Sequence, residues 1–238
     1  MTAELETDHP AAAIAEAVAL EGVSVAYGAA TVLSKIDLVV PKSQFLAVLG
    51  ANGAGKTTLL SVLAGLVRPS AGAVRLGGEA APREAHRRYR RGLAFIGDDR
   101  QIFPKLTVEQ SMRLVDCREE PRKLFPELEL LWQRRVGLLS GGEQQMVALA
   151  RALAAHTSIV VVDELSQGLA PIIRDRLLGQ LRTAASSGTT VIVVEQAVDA
   201  VLTVADAGVV LRQGRIIDHR PAADLLNDRD RVVASFLE

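Results

Sequence analysis

An α/β fold on a mainly parallel sheet follows from three features of this 238-residue sequence. Apolar, β-branched runs of strand length at 44–49, 159–162 and 189–194 alternate with helical stretches at 56–65, 141–155 and 174–185. That alternation is the pattern of strands buried on both faces by helices. A glycine-rich loop joins the first of these runs to its helix, the strand–loop–helix context in which a phosphate chain is held. The stretch 105–136 departs from the pattern: it is helical, leucine- and charge-rich and interrupted by Pro121 and Pro126, and reads as a small helical subdomain.

The remaining elements fall into order around that frame. Residues 1–17 show no turn-bounded periodicity and read as a tail, with a single domain over 18–238. Two strands, 18–27 and 32–40, alternate in polarity and meet at Gly28, which predicts an antiparallel N-terminal unit. A short strand at 73–76 ends in Gly77 and Gly78, and another spans 93–96. The arginine-rich run 83–91 before it reads as a solvated helix; no aromatic array accompanies it to make a nucleic-acid patch. A hairpin at 209–218 turns at Gly214, and 222–227 begins a closing helix.

Composition narrows the function. Hydrophobic residues make up 49% and charged residues 23%, with a net charge of −1, so no overall field favours nucleic acid or an anionic membrane. The lone Cys117 excludes an internal disulfide and a CxxC metal site, which suits a reducing compartment. The alanine-rich stretch 11–20 follows acidic residues, unlike a signal peptide, and no apolar run approaches the ~20 residues of a membrane helix. His9, His86, His156 and His219 are isolated, without metal-ligand spacing. Phe125 and Trp132 read as core residues of the helical segment.

Three motifs carry chemistry. Gly50-Ala-Asn52-Gly53-Ala-Gly55-Lys56-Thr57-Thr58 is a P-loop: small residues let backbone N–H groups face phosphate oxygens, and the next helix adds its positive end. Lys56, one of only five lysines, would reach the β/γ-phosphates, and the Thr57 hydroxyl would hold Mg²⁺. The strand 159–162 runs into Asp163-Glu164; at such a strand end Asp163 meets Mg²⁺, while Glu164 polarises an attacking water. Leu139-Ser140-Gly141-Gly142-Glu143 opens a helix with the apolar face Met146, Leu149, Ala150 and Leu153. Ser140 and Glu143 make a capping box. The two glycines cost helix stability and leave a bare, N–H-rich helix start, a second anion site. One P-loop already cradles one phosphate chain, so the second site implies a nucleotide bound by a partner.

P-loop, LSGGE and strand-terminal Asp-Glu, in this order from about Leu20 onward, resemble the ATP-binding-cassette (ABC) ATPases. In finer detail the chain resembles the ATPase subunits of branched-chain amino acid importers, through Ile102-Phe-Pro104, Leu106-Thr-Val108, Gln144-Gln-Met146, Gly168-Leu-Ala-Pro171 and Val194-Glu-Gln196. Importers of urea and short amides use similar subunits. The resemblance implies an ATPase with MgATP as its nucleotide, working on the cytoplasmic face of a membrane. Its partners would be a second cassette, two permeases and, indirectly, a substrate-binding protein, with no nucleic acid; a soluble cassette acting on nucleic acid or ribosomes is the alternative. It further implies that Tyr27 stacks on adenine, that Asp98 joins Thr57 and Asp163 around the metal and γ-phosphate, and that Gln196 takes the place of the family's switch histidine. Glutamine hydrogen-bonds but does not titrate, so no proton passes there. Three departures stand out: Leu165 in place of a proline, Gln167 in place of an apolar residue, and only 41 positions from Asp98 to Leu139.

Overall fold

The structure is a computed structural model that describes residues 15–100 and 102–236, so the predicted tail lies almost wholly outside it. Strand β1 (Glu16–Tyr27) begins two residues earlier than its polarity pattern predicts. It pairs antiparallel with β2 (Ala30–Pro41) across a turn in which Gly28 takes a left-handed φ of 60°. Strand β3 (Phe45–Leu49) feeds the glycine loop and α1 (Lys56–Ala64). Then β4 (Ala71–Leu76) and β5 (Glu79–Ala80) complete an antiparallel sheet in the order β2-β1-β4-β5.

The arginine-rich run forms α2 (Ala85–Arg90), but one of its arginines is not solvated. Arg88 is buried and donates to the carbonyls of Val62 (2.5 Å), Leu63 (2.7 Å) and Pro82 (2.6 Å). It closes the C-terminal end of α1, where helix carbonyls lack partners. Burial lowers its pKa.

Strand β6 (Leu93–Ile96) leads to the leucine-rich stretch, which holds only short helices: α3 (Val108–Met112), α4 (Pro121–Leu124) and α5 (Leu128–Leu131), then a 3-10 turn at Val136–Leu138. Pro121 opens α4 instead of interrupting a helix, since the first turn needs no donor there. Phe125, Leu128 and Val136 are fully buried, and Trp132 is partly buried against the same core with the Arg122 guanidinium 4.8 Å above its ring.

The long helix α6 (Gly141–Ala154), β7 (Ile159–Val162), α7 (Pro171–Ser186) and β8 (Thr190–Val194) follow as the apolar pattern predicts. Helix α7 starts three residues early because Pro171 suits its first turn. Sequence periodicity missed α8 (Val198–Val204). The hairpin β9 (Ala207–Arg212) and β10 (Arg215–Pro221) precedes α9 (Ala222–Asn227) and a further missed helix, α10 (Arg229–Ala234).

The second sheet has the order β10-β9-β3-β8-β7-β6, parallel throughout except for β10. Along β3, Phe45, Ala47 and Leu49 point into a core shared with α6, α7 and the short helices; Leu46 and Val48 point into one shared with α1 and the antiparallel sheet. With both faces buried, β3 has no solvent-facing residue to alternate. Chain order reverses about β3, which lies between β9 and β8, and the carboxyl ends of β3, β7 and β8 open on one edge, the place where such sheets bind ligands.

Candidate functional site

The glycine loop is built by close approach. At Gly50 (φ 147°) an added Cβ would fall 2.2 Å from the Leu211 carbonyl oxygen, so the backbone of β9 leaves room only for glycine. Gly55 (φ 105°) abuts Val32 and Leu33 of β2, and Gly214 donates to the Ala54 carbonyl at 3.0 Å while accepting from Ser34 N–H at 2.8 Å. Three elements thereby brace the loop from behind, leaving Asn52 and Gly53 exposed at its tip. No side chain caps α1, so none satisfies the N–H groups of its first turn, which follows the loop directly. Buried Lys56 donates to the carbonyls of Gly50 and Ala51, each at 2.8 Å. Thr57 is exposed and Thr58 half-buried on the first turn of α1. Tyr27, 53% exposed, ends the strand whose hairpin partner braces Gly55.

Asp163, just past β7, is 1% exposed, and its N–H donates to the Ile96 carbonyl at the end of β6 (2.8 Å). Burial raises its pKa, and the charges of Glu164 and Asp98 push the same way; a hydrogen bond from Thr57 and the charge of Lys56 oppose them. Lys56 is the mirror case: burial lowers its pKa against the pull of Glu164 and Asp163. Thr57, Lys56, Asp98, Asp163 and Glu164 therefore form one electrostatic group, although exposed Asp98 also accepts from its neighbour's N–H at 2.8 Å. Asp163 Oδ1 is buried without a hydrogen-bond partner. An acceptor oxygen left bare beside a threonine hydroxyl fits a hard divalent cation, which takes oxygen ligands.

Glu164 adopts a left-handed φ of 46°, a strained state outside glycine, and its Oε1 accepts from Gln196 Nε2 at 3.3 Å. Gln196 thus meets the carboxylate that the sequence singled out, from the end of β8. Buried Glu195, on which the motif reading placed no role, accepts from Ser166 Oγ (2.8 Å) and from the N–H groups of Gln196 (2.8 Å) and Ala197 (3.0 Å).

Ser140 caps α6 as its spacing predicts: Glu143 Oε2 accepts from Ser140 N–H at 2.7 Å, and Ser140 Oγ accepts from Glu143 N–H. Gly142 also has a packing reason, since an added Cβ would lie 3.2 Å from Ile173 of α7. Among the described residues, no hydrogen bond or ion pair joins Ser140, Gly141 or Gly142 to the glycine loop, Asp163 or Glu164. Arg100, also missed from sequence, reaches this helix start: its Nε donates to Gln145 Oε1 at 3.1 Å, beside Gly141. A lone arginine after Asp98 carries no spacing signal that would have found it.

A family model described as "ABC transporter" matches residues 33–167. The high-affinity branched-chain amino acid transport ATP-binding protein BraG of Pseudomonas aeruginosa is 35% identical, over 87% of this chain and 93% of its own length. A probable branched-chain amino acid transport ATP-binding protein, LivF of Archaeoglobus fulgidus, is 36% identical over 82% and 88%. A sulfate/thiosulfate import ATP-binding protein of Chromobacterium violaceum is also 36% identical, so similarity of this degree spans substrates. Among solved structures, a nucleotide-free ATP-binding cassette aligns over 93% of this chain and 98% of its own with a TM-score of 0.83 at 23% identity, a likeness of fold. A phosphate loop braced at the edge of a parallel sheet, opposite a buried aspartate, is thus accompanied by matching sequence over most of the chain, which belongs to the ABC transporter family as an ATPase domain.

Proposed function

We propose that the chain is the ATP-hydrolysing subunit of a membrane importer for branched-chain amino acids or a similar small polar solute such as urea or an amide. It works peripherally, on the cytoplasmic side, with two permeases, a second ATPase and a substrate-binding protein. The observation that carries the catalytic part is the bare Asp163 Oδ1 beside Thr57 and Lys56, next to a Glu164 held by Gln196. Resemblance to the two branched-chain amino acid proteins supports the solute class.

In this reading two cassettes close head to tail over two nucleotides. One chain supplies Tyr27 for adenine, the N–H groups of the loop from Gly50 to Thr58, and Lys56 for the β/γ-phosphates. The other supplies the helix start at Ser140, Gly141 and Gly142. Thr57 and Asp163, with Asp98 nearby, hold Mg²⁺, which when bound neutralises charge on the phosphate oxygens. Glu164 draws a proton from water as its oxygen bonds the γ-phosphorus and the bond to ADP breaks. Gln196 orients Glu164 and the γ-phosphate without itself titrating. Donors fixed in advance by the backbone stabilise charge on the transferring group.

A groove of about 450 Å³ supports permease docking: it lies between α2, β6 and the leucine-rich stretch, lined by Leu66, Tyr89, Phe103 and Leu114. All four are about half exposed, and together they form an apolar patch open to an apolar segment of a membrane subunit. Among the described residues, no helix is long and apolar enough to cross a membrane.

The test of the catalytic assignment is Glu164→Gln in the assembled complex. ATP binding is retained and hydrolysis falls by at least about a hundredfold, as for loss of a general base; normal turnover would sink the assignment. Transport is tested by tagging the chain in its native cell and identifying what leaves the membrane with it in mild detergent. Two permeases and a second cassette support the importer, and the attached binding protein points to the solute; ribosomes or nucleic-acid proteins alone would overturn it.

A further inference from the structure

We infer that Glu195 is a positioning residue that links Ser166, in the loop after the Asp163-Glu164 pair, to Gln196 and through it to Glu164; the inference rests on the ATPase reading. Four contacts close a ring. Gln196 Nε2 donates to Glu164 Oε1 at 3.3 Å, and Gln196 N–H donates to Glu195 Oε1 at 2.8 Å. The same Oε1 accepts from Ser166 Oγ at 2.8 Å, and Ser166 follows Glu164 by two residues. Leu165 N–H, between them, reaches the Val194 carbonyl at the end of β8 at 3.4 Å. Ala197 N–H adds a third donor to the same carboxylate oxygen at 3.0 Å.

The arrangement is costly unless it is used. Glu195 is 4% exposed, and its second oxygen is buried with no partner. A buried polar atom without a hydrogen bond is disfavoured, so a packed apolar side chain would serve stability better there. What the carboxylate supplies is one acceptor that three donors from two loops share. Glu164 needs such support, because its left-handed φ is not sustained by its own backbone preference. Beyond Ser166 the loop is exposed at Gln167 and Gly168, the stretch next to the helix start that a second cassette would approach. Movement of that loop on closure displaces Ser166. Through Glu195 the displacement reaches Gln196, and so the angle at which Glu164 meets water. Leu165 and Gln167 then alter the loop around the ring while leaving Ser166, Glu195 and Gln196 to make it.

The test uses the assembled complex and separates kcat from KM. Glu195→Ala lowers kcat about tenfold with KM for ATP within about twofold, because no contact of the glycine loop is lost. Ser166→Ala lowers kcat about threefold or more, and Ser166→Thr, which keeps the hydroxyl, restores most of it. The double variant Ser166→Ala/Glu195→Ala is no slower than Glu195→Ala alone, since both remove one link. Multiplicative effects in the double variant, or a raised KM at unchanged kcat, would overturn the inference. If Glu195→Ala does not fold, the Ser166 pair decides: an equal loss in alanine and threonine variants overturns it. A normal rate in Glu164→Gln would instead remove the ATPase reading itself, and the two failures are therefore distinct.

Discussion

Asp163 shows what burial at the end of a strand does to a carboxylate. Burial raises its pKa, and neighbouring Glu164 and Asp98 add to the rise, so its charged form is disfavoured. Stability from such a group is fully present below the unfolded-state value of about 3.9 and is lost as pH rises through the higher folded-state value. At neutral pH the ionised Asp163 therefore destabilises the nucleotide-free chain. Asp163→Asn raises its thermal midpoint at pH 7, the gap closes on acidification to about pH 4, and Mg²⁺-dependent ATP binding is lost. Thermal unfolding across pH, beside ATP titration with and without Mg²⁺, checks both parts; a midpoint lowered at pH 7 would contradict the burial account. The place of Asp163 at the end of a buried strand was legible from the apolar run before it. The bare oxygen was not, because whether a buried atom finds a partner depends on β6 and α1, distant in sequence.

Helix α1 illustrates what neighbours do to an element. It presents the glycine loop's N–H groups at one end and buries Leu59, Leu60, Val62 and Leu63 along its length. Its other end is closed by Arg88, more than twenty residues later. Removing a buried cation that satisfies helix carbonyls strands those acceptors, so Arg88→Ala costs about 2–4 kcal/mol in denaturant unfolding. Arg87→Ala, at an exposed position of the same helix, stays within about 0.5 kcal/mol. Equal effects at the two positions would refute the capping role. This division of labour was invisible in the run 83–91, where composition shows five arginines and nothing in their spacing separates the buried one. Strands were read more accurately than helices in this chain. A strand buried on both faces shows as an unbroken apolar run, as in β3, β7 and β8. Short helices such as α4 and α8 have too few turns to display a period, and only their tertiary contacts keep them helical.

At the scale of the whole molecule, the glycine loop and the Ser140 helix start lie on different elements, α1 and α6. The glycine loop, Asp163, Glu164 and Gln196 gather at one sheet edge, whereas Ser140, Gly141 and Gly142 make no hydrogen bond or ion pair to the loop or to either acid among the described residues. Motif order made both motifs legible in the sequence; which elements brace each of them needed the fold. If each complete site takes one half from each of two chains, complementary defects compensate. Lys56→Ala spoils the loop half of a chain and leaves its LSGGE half intact. Gly142→Asp does the reverse: it sets a carboxylate against the incoming phosphate and against Ile173 at 3.2 Å from the new Cβ. Each variant alone loses hydrolysis in both sites of its dimer. In a mixed dimer, the loop of the Gly142→Asp chain meets the LSGGE half of the Lys56→Ala chain, restoring one sound site, while the other is doubly defective. Random mixing makes about half of the dimers mixed, so recovery of up to about a quarter of the wild-type rate is expected if the sites fire independently, and less if they must fire together. The measurement is steady-state ATP hydrolysis of complexes reconstituted from co-expressed variants, compared with each variant alone. No recovery, with both chains present in the complex, would mean either that hydrolysis requires both sites intact or that the halves belong to one chain. Crosslinking a cysteine at Ser140 to one at Asn52 separates these: a bond between chains supports the shared site, and a bond within a chain refutes it.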